Sequence, residues 1–304
     1  MRNTYLKEVY NLAAKDRNVL SLVADNGMIV YDDFRRDFPE QYFNFGISEG
    51  HMITAAAGMA SCGKIPFAYT IGAFLAYRSF EFIRLDVCLQ NMNVKIVGIG
   101  AGMSYGYLGP THHTTEDIAV LRTLPNLTLL SPASAKETKA LVNYAYELSG
   151  PVYIRLGNNL KEELYPEDVQ VIPGKGTILK KGNDIVIFST GDITYHVMTA
   201  AKRLEEEGIH ATVISMHTIK PFDSQLVVDM AQRSTKLFTV EEHSIIGGLG
   251  SAVAEVLTDN GCSAGLKRIG LNDVFAHGYG NQEQVRKANG LDADGIYNSI
   301  KNNL

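Results

Sequence analysis

The sequence predicts an α/β protein built as two doubly wound domains. Three observations carry that reading. Short β-branched segments alternate with helical ones, as open parallel sheets require. The alternation breaks over residues 157–182 and then resumes. A chain of 304 residues is long enough for two hydrophobic cores.

Arg2 to Asp16 reads as the first helix, and Asn18 to Ala24 as the first strand. Pro66 to Thr70 and Val94 to Gly100 are further strands, separated by a helix from about Phe74 to Gln90. Asn126 to Leu130 is a strand; the next helix begins near Ser134, with Glu137 placed to complete a capping box. Val152 to Leu156 closes the first unit, giving a domain over residues 1–160. Lys161-Glu162-Glu163, two prolines and Gly174-Lys175-Gly176 mark residues 161–182 as a surface linker with room for a hairpin. The second domain, residues 183–304, opens with a strand at Asp184 to Thr190 and a helix at Thr194 to Glu207. A strand at Ala211 to Met216, a helix at Ser224 to Gln232 and a strand at Leu237 to Val240 follow. Gly247-Gly248-Leu249-Gly250 then turns the chain tightly into a helix over Ser251 to Thr258.

Composition narrows the function classes. Apolar residues make up 45% and charged residues 20%, the balance of a globular domain. A net charge of −5 without basic stripes argues against nucleic acid or an anionic membrane as partner. Ile53 to Tyr77 is the longest apolar region, but Lys64, Pro66 and several glycines interrupt it as a membrane span. Cys62, Cys88 and Cys262 are isolated, and the first residues lack the apolar core of a secretory signal. The expected location is the cytoplasm.

Glu49 is the first chemical candidate. It follows Gly46 where a strand gives way to a small-residue helix, so its carboxyl group can enter a crevice at the strand ends. From position alone, the commoner role is a first-turn glutamate favoured by the helix dipole. Phe74, Tyr77 and Phe80 recur at threes and share one face of a helix or its entry turn. That spacing suits a core face, and equally a shelf on which a planar heterocycle stacks. His112 and His113 follow Gly109-Pro110, with Glu116 and Asp117 beyond them. Adjacent histidines diverge, so Thr114 to Asp117 reads as a capped helix start in preference to a metal cluster.

Gly46-Ile47-Ser48-Glu49, the aromatic set and Gly109-Pro110-Thr111-His112-His113 come in a specific order. Leu129-Leu130-Ser131-Pro132, Lys220-Pro221-Phe222-Asp223 and the stretch from Glu241 to Glu255 continue it. In that order and spacing the chain resembles the transketolase family, and within it the C-terminal subunit of a split, two-chain enzyme. The resemblance implies a pyrimidine-binding domain for thiamine diphosphate, followed by a smaller, mostly parallel C-terminal domain. It implies that Glu49 hydrogen-bonds N1′ of the aminopyrimidine, that Tyr77 stacks on that ring, and that Phe74 and Phe80 wall its pocket. Asp25 would lie near the cofactor, while His112 would face substrate hydroxyls and assist proton movement; His113 stays open between a supporting and a structural role. The activity implied is transfer of a two-carbon ketol unit from a ketose to an aldose.

The family's Gly-Asp-Gly motif with a later asparagine is absent: Ile193 follows Gly191-Asp192, and His217 to Asp223 holds no asparagine. The resemblance therefore implies an N-terminal, diphosphate-binding partner subunit that holds Mg²⁺ or Ca²⁺, in an α2β2 assembly, and His243 is a candidate for a subunit contact. Arg2 matches a substrate-phosphate arginine, and Arg155 lies close to the place of a second, which falls near Asn158. Leu108 stands where the family carries a hydroxyl-binding aspartate, and Gly100 where it carries a phosphate-clamping histidine. These departures point to a specialised donor or acceptor, such as a modified or branched sugar phosphate. Two alternatives share the motifs: a 1-deoxy-D-xylulose-5-phosphate-synthase-like activity, or a 2-oxo-acid dehydrogenase β subunit. A non-catalytic assembly subunit is the third.

Overall fold

A computed structural model of the chain describes residues 1–26, 29–157, 164–165 and 169–304. Strands β1 (Val19–Val23), β2 (Tyr42–Asn44), β3 (Ile65–Ile71), β4 (Lys95–Ile99), β5 (Thr128–Leu130) and β6 (Val152–Leu156) come from the first half. The second half supplies β7 (Thr177–Lys180), β8 (Ile185–Thr190), β9 (Ala211–Ser215), β10 (Thr218–Lys220), β11 (Lys236–Ser244) and β12 (Gly265–Leu271). They form a sheet in the order β10-β5-β6-β4-β3-β1-β2 and another in the order β12-β11-β8-β9-β7. Pairing is parallel throughout except at β10 and β7, which run antiparallel at their edges.

Two doubly wound α/β sheets thus stand as the sequence predicts. β1, β4, β6 and β8 are buried along their whole length. Helices cover both faces of such strands, so they read as near-continuous apolar runs. The halves are more entangled than a two-domain reading implies. β10 leaves the second half and pairs with β5 of the first sheet, Thr218 opposite Leu130. One apolar core also runs through both, with Leu22, Met52 and Ile83 in the same cluster as Phe188, Ile214 and Val253.

Two local expectations change. The segment expected as one regular helix from Phe74 is a π-helical turn at Phe74–Arg78, a short α-helical turn at Phe80–Phe82 and a second π-helical stretch at Ile83–Cys88. Such widened turns reorient side chains and recur at functional sites. Ser134 does cap its helix, accepting from the Glu137 N–H at 3.2 Å. The Glu137 carboxylate, however, takes the Ala133 N–H at 2.5 Å and the Ser215 hydroxyl at 2.6 Å, so it anchors the second half and does not close the capping box.

Within the stretch expected as linker, Tyr165 is buried with its hydroxyl on Glu137, and Thr177–Lys180 forms β7 of the second sheet. At Gly247–Gly250 the tight turn has a clear basis. The buried Glu241 carboxylate accepts from the N–H groups of Leu249 and Gly250, at 2.7 and 2.8 Å, at the start of helix Leu249–Asp259.

Candidate active site

The C-terminal ends of the parallel strands β1, β3 and β4 lie side by side, on the edge where open α/β sheets usually take their ligands. From β2 the chain passes Gly46 at φ +66°, and the helix Glu49–Ser61 begins with Glu49 itself. The Glu49 side chain is 2% exposed, and Oε2 accepts from Arg78 Nη1 at 2.8 Å. The Arg78 guanidinium also lies 4.9 Å from the centroid of Phe74. Its contacts therefore join the buried carboxylate to an aromatic face. Gly50 lets the Phe82 ring pack close on this helix: a Cβ there would come within 2.7 Å of the ring, which would have to shift.

Phe74 meets His112 edge-on at 5.0 Å between centroids, and Tyr105 also meets it edge-on at 6.2 Å. His112 Nδ1 is 3.0 Å from the Thr111 hydroxyl. Tyr77 gives its hydroxyl proton to Glu116 at 2.7 Å and accepts the Glu116 N–H at 2.9 Å. Burial, with Asp117 and Glu116 nearby, raises the Tyr77 pKa and keeps the phenol neutral. His113 is buried, both ring nitrogens lack a hydrogen-bond partner among the described residues, and burial lowers its pKa.

Not every expected residue joins this group. Phe74, Tyr77 and Phe80 make separate contacts: Phe74 meets His112, Tyr77 bonds Glu116, and Phe80 packs on the apolar core. Asp25 is exposed just beyond β1, at φ 50°, with its N–H on Asn44 Oδ1 at 3.0 Å. Arg2 is exposed, and its charge acts on the phenols of Tyr69 and Tyr105. Leu108 is 52% exposed in the turn that precedes Gly109. Asn158 lies outside the described residues.

Arg155 is the clearest correction. Instead of facing a substrate it is buried, bonded through Nε to both Asp117 oxygens at 3.0 and 2.9 Å and through Nη2 to the Thr114 and Glu242 carbonyls. His243 is likewise buried within the chain, donating to the Ser244 carbonyl and accepting the Ala119 N–H, which assigns it to the junction and not to a subunit contact. No side chain caps helix Asp117–Leu121, whose first residue serves Arg155 and Tyr153 instead.

Sequence reasoning missed Arg78 and the junction. Arg78 sits inside the aromatic run, and its charge in an apolar stretch was the available signal. The junction had none, because its members are far apart in the chain. Glu242 accepts the Met103 N–H at 2.5 Å and Arg286 Nε at 2.6 Å, and Gln282 bridges Glu242 and Asp192. Burial raises the Glu242 pKa against the pull of Arg286. Asp192 also pairs with Arg286 Nη2 at 3.1 Å, so this aspartate is engaged internally. Among the described residues no group of three His, Cys, Asp or Glu side chains is placed to hold a metal ion, and no helix is long and apolar enough to cross a membrane.

Comparison with known proteins shows the family. Residues 1–162 match the family described as transketolase, pyrimidine binding domain, and residues 174–296 match transketolase, C-terminal domain. A putative transketolase C-terminal section from Methanocaldococcus jannaschii is 40% identical, covering 99% of this chain and 95% of the relative. A subunit of the apulose-4-phosphate transketolase of Phocaeicola vulgatus is 35% identical over 97% of this chain and 94% of its own. A solved split gene transketolase, described as an inactive beta4 tetramer, superposes with a TM-score of 0.90 at 40% identity, covering 99% of this chain and 97% of its own.

Proposed function

We propose that this chain, which belongs to the transketolase family, is the pyrimidine-binding subunit of a two-chain enzyme that moves a two-carbon ketol unit from a ketose to an aldose. The observation that carries the reading is Glu49: a carboxylate 2% exposed at a helix start, paired with Arg78, whose guanidinium lies on the Phe74 ring that meets His112 edge-on. The donor set fits an aminopyrimidine. A flat, weakly basic heterocycle needs an acid partner for a ring nitrogen and apolar walls, and Glu49 with Phe74 and Tyr77 offers both.

Thiamine diphosphate, when bound, supplies the centre that holds the electron pair left by carbon–carbon cleavage. The residues of this chain do the rest. Glu49 holds a proton at the pyrimidine nitrogen, and Arg78 fixes the carboxylate in place. Phe74 and Tyr77 exclude water from the ring, with Phe80 behind them and Asp25 just beyond β1. His112, in edge-on contact with Phe74 and Tyr105, offers its imidazole to substrate hydroxyls. Arg2, exposed and electrostatically coupled to the Tyr69 and Tyr105 phenols, is the cation this reading assigns to an anionic tail.

In this reading the diphosphate and its Mg²⁺ or Ca²⁺ are held by a second, N-terminal-type subunit, and the working assembly is α2β2 in the cytoplasm. The absence of Gly-Asp-Gly in the chain and the internal engagement of Asp192 support it. Leu108, exposed beside the His112 loop, supports a donor other than a plain ketose phosphate, as does the apulose 4-phosphate for which the Phocaeicola relative is named.

The test is reconstitution with the diphosphate-binding subunit, thiamine diphosphate and Mg²⁺, assayed on a panel of plain and branched ketose phosphates with an aldose acceptor. The complex should turn over, the isolated chain should not, and Glu49→Gln should lower kcat by at least about 100-fold. Turnover by the isolated chain, or full activity of Glu49→Gln, overturns the reading.

A further inference from the structure

We infer that Tyr105 is a specificity-determining residue of the substrate pocket, presenting its phenol to a hydroxyl group of the sugar donor; this rests on the ketol-transfer reading above. β4 ends at Ile99, and Gly100 follows at φ +79°, a backbone conformation that glycine adopts without strain. The Tyr105 ring packs so closely on Gly100 that a Cβ at position 100 would fall on the ring edge. The missing side chain of Gly100 is the seat of the ring.

The loop that carries Tyr105 is closed at its neck and clamped from behind. Gly102 and Thr114 exchange backbone hydrogen bonds at 3.0 and 2.8 Å, and the buried Glu242 takes the Met103 N–H. Within the loop, the Ser104 hydroxyl donates to the Ala101 carbonyl at 2.6 Å, and the Leu108 N–H donates to the Tyr105 carbonyl at 2.8 Å. The ring is thus held on two sides, by Gly100 and by the edge-on imidazole of His112.

Its hydroxyl is the part left over. The ring is half-buried, yet no described residue is hydrogen-bonded to that oxygen; its electrostatic neighbours are Arg2 and the buried Tyr69 phenol. A phenylalanine would satisfy the packing on Gly100 and His112 equally well. Burial raises the phenol pKa, so the group is a neutral donor and acceptor at physiological pH. That chemistry matches a sugar hydroxyl, and the site lies beside the imidazole that the reading turns toward substrate. A pocket built to bond a hydroxyl discriminates against an analogue that lacks it.

The experiment uses the reconstituted complex, with Tyr105→Phe compared with wild type on ketose donors and their single-deoxy analogues. Tyr105→Phe should lower kcat/KM for hydroxylated donors roughly three- to tenfold, the worth of one neutral hydrogen bond. It should do nothing further to one deoxy analogue, the one missing the partner hydroxyl, and should leave thiamine diphosphate affinity unchanged. A second variant, Gly100→Ala, should evict the ring and lose more on every donor. An equal loss on all donors and analogues with Tyr105→Phe, or no loss on any, overturns the inference while wild-type turnover upholds the reading beneath it. A wild-type complex inactive on every ketose overturns both.

Discussion

Replacing Arg155 with methionine tests how the two halves of the chain are joined. The guanidinium bonds Asp117 twice through Nε, and through Nη2 the Thr114 carbonyl at 2.9 Å and the Glu242 carbonyl at 3.1 Å. The two side chains of the ion pair are 2% and 0% exposed. Methionine keeps most of the packing volume but removes every donor, leaving Asp117 buried with the Tyr153 hydroxyl at 2.8 Å. Breaking a buried pair from one side costs about 3–5 kcal/mol, because the surviving charge is stranded. At about 2 °C per kcal/mol for a chain of this size, the melting midpoint should fall by roughly 6–10 °C. Urea unfolding followed by circular dichroism, with the slope unchanged, reads the same quantity. The double variant Asp117→Asn with Arg155→Met should regain at least half of the loss, since no charge is then left alone. A single variant within about 1 kcal/mol of wild type, or a double variant no better than the single, refutes the reasoning.

Three more outcomes follow from the same contacts. Gly102→Ala places a non-glycine residue at φ +61° and a Cβ 2.6 Å from the Glu242 carboxyl group, so it should cost at least about 2 kcal/mol in chemical unfolding. Lys95 donates to the Leu148 and Gly150 carbonyls at 2.7 and 2.9 Å, and burial pushes its ammonium down to about 7. The unfolded chain then binds more protons between about pH 7 and the ordinary lysine value near 10.4, so stability should rise with pH across that window, by up to about 1.4 kcal/mol per unit. Lys95→Met should abolish that slope. Arg78→Met strands the Glu49 carboxylate and should lower stability by about 1–3 kcal/mol, restored in part by adding Glu49→Gln, as urea midpoints would show.

Much of the fold was legible because local pattern dictates it. β6 falls on the expected Val152 to Leu156, and β1, β3, β4, β8 and β9 lie within a residue or so of expectation. Glu49 at a helix start was legible from Gly46 and the small-residue run that follows. What stayed hidden depends on residues that meet only in space. β10 carries three residues, too few for a periodic signal, and its partner Leu130 lies far upstream. The spacing by threes in Phe74, Tyr77 and Phe80 assumes a regular helix, and the π-helical turn divides the set. Arg155 reads as a solvent-seeking cation until Asp117 and the Glu242 carbonyl are brought to it across the junction. Strands β11 and β12 show the same limit: the first runs past Val240 to Ser244, and the second has alternating exposure with glycines at Gly265 and Gly270 that mask its pattern.

The strand that the second half lends to the first has a consequence for biosynthesis. As the polypeptide leaves the ribosome, the first six strands can assemble while the outer rim of Thr128–Leu130 is still bare. An uncovered rim of backbone donors and acceptors is a template for any neighbouring nascent chain. The rim is sealed only when Thr218–Lys220 has been translated, so completion of the earlier sheet waits on the later half, and truncation between them would yield an aggregation-prone fragment.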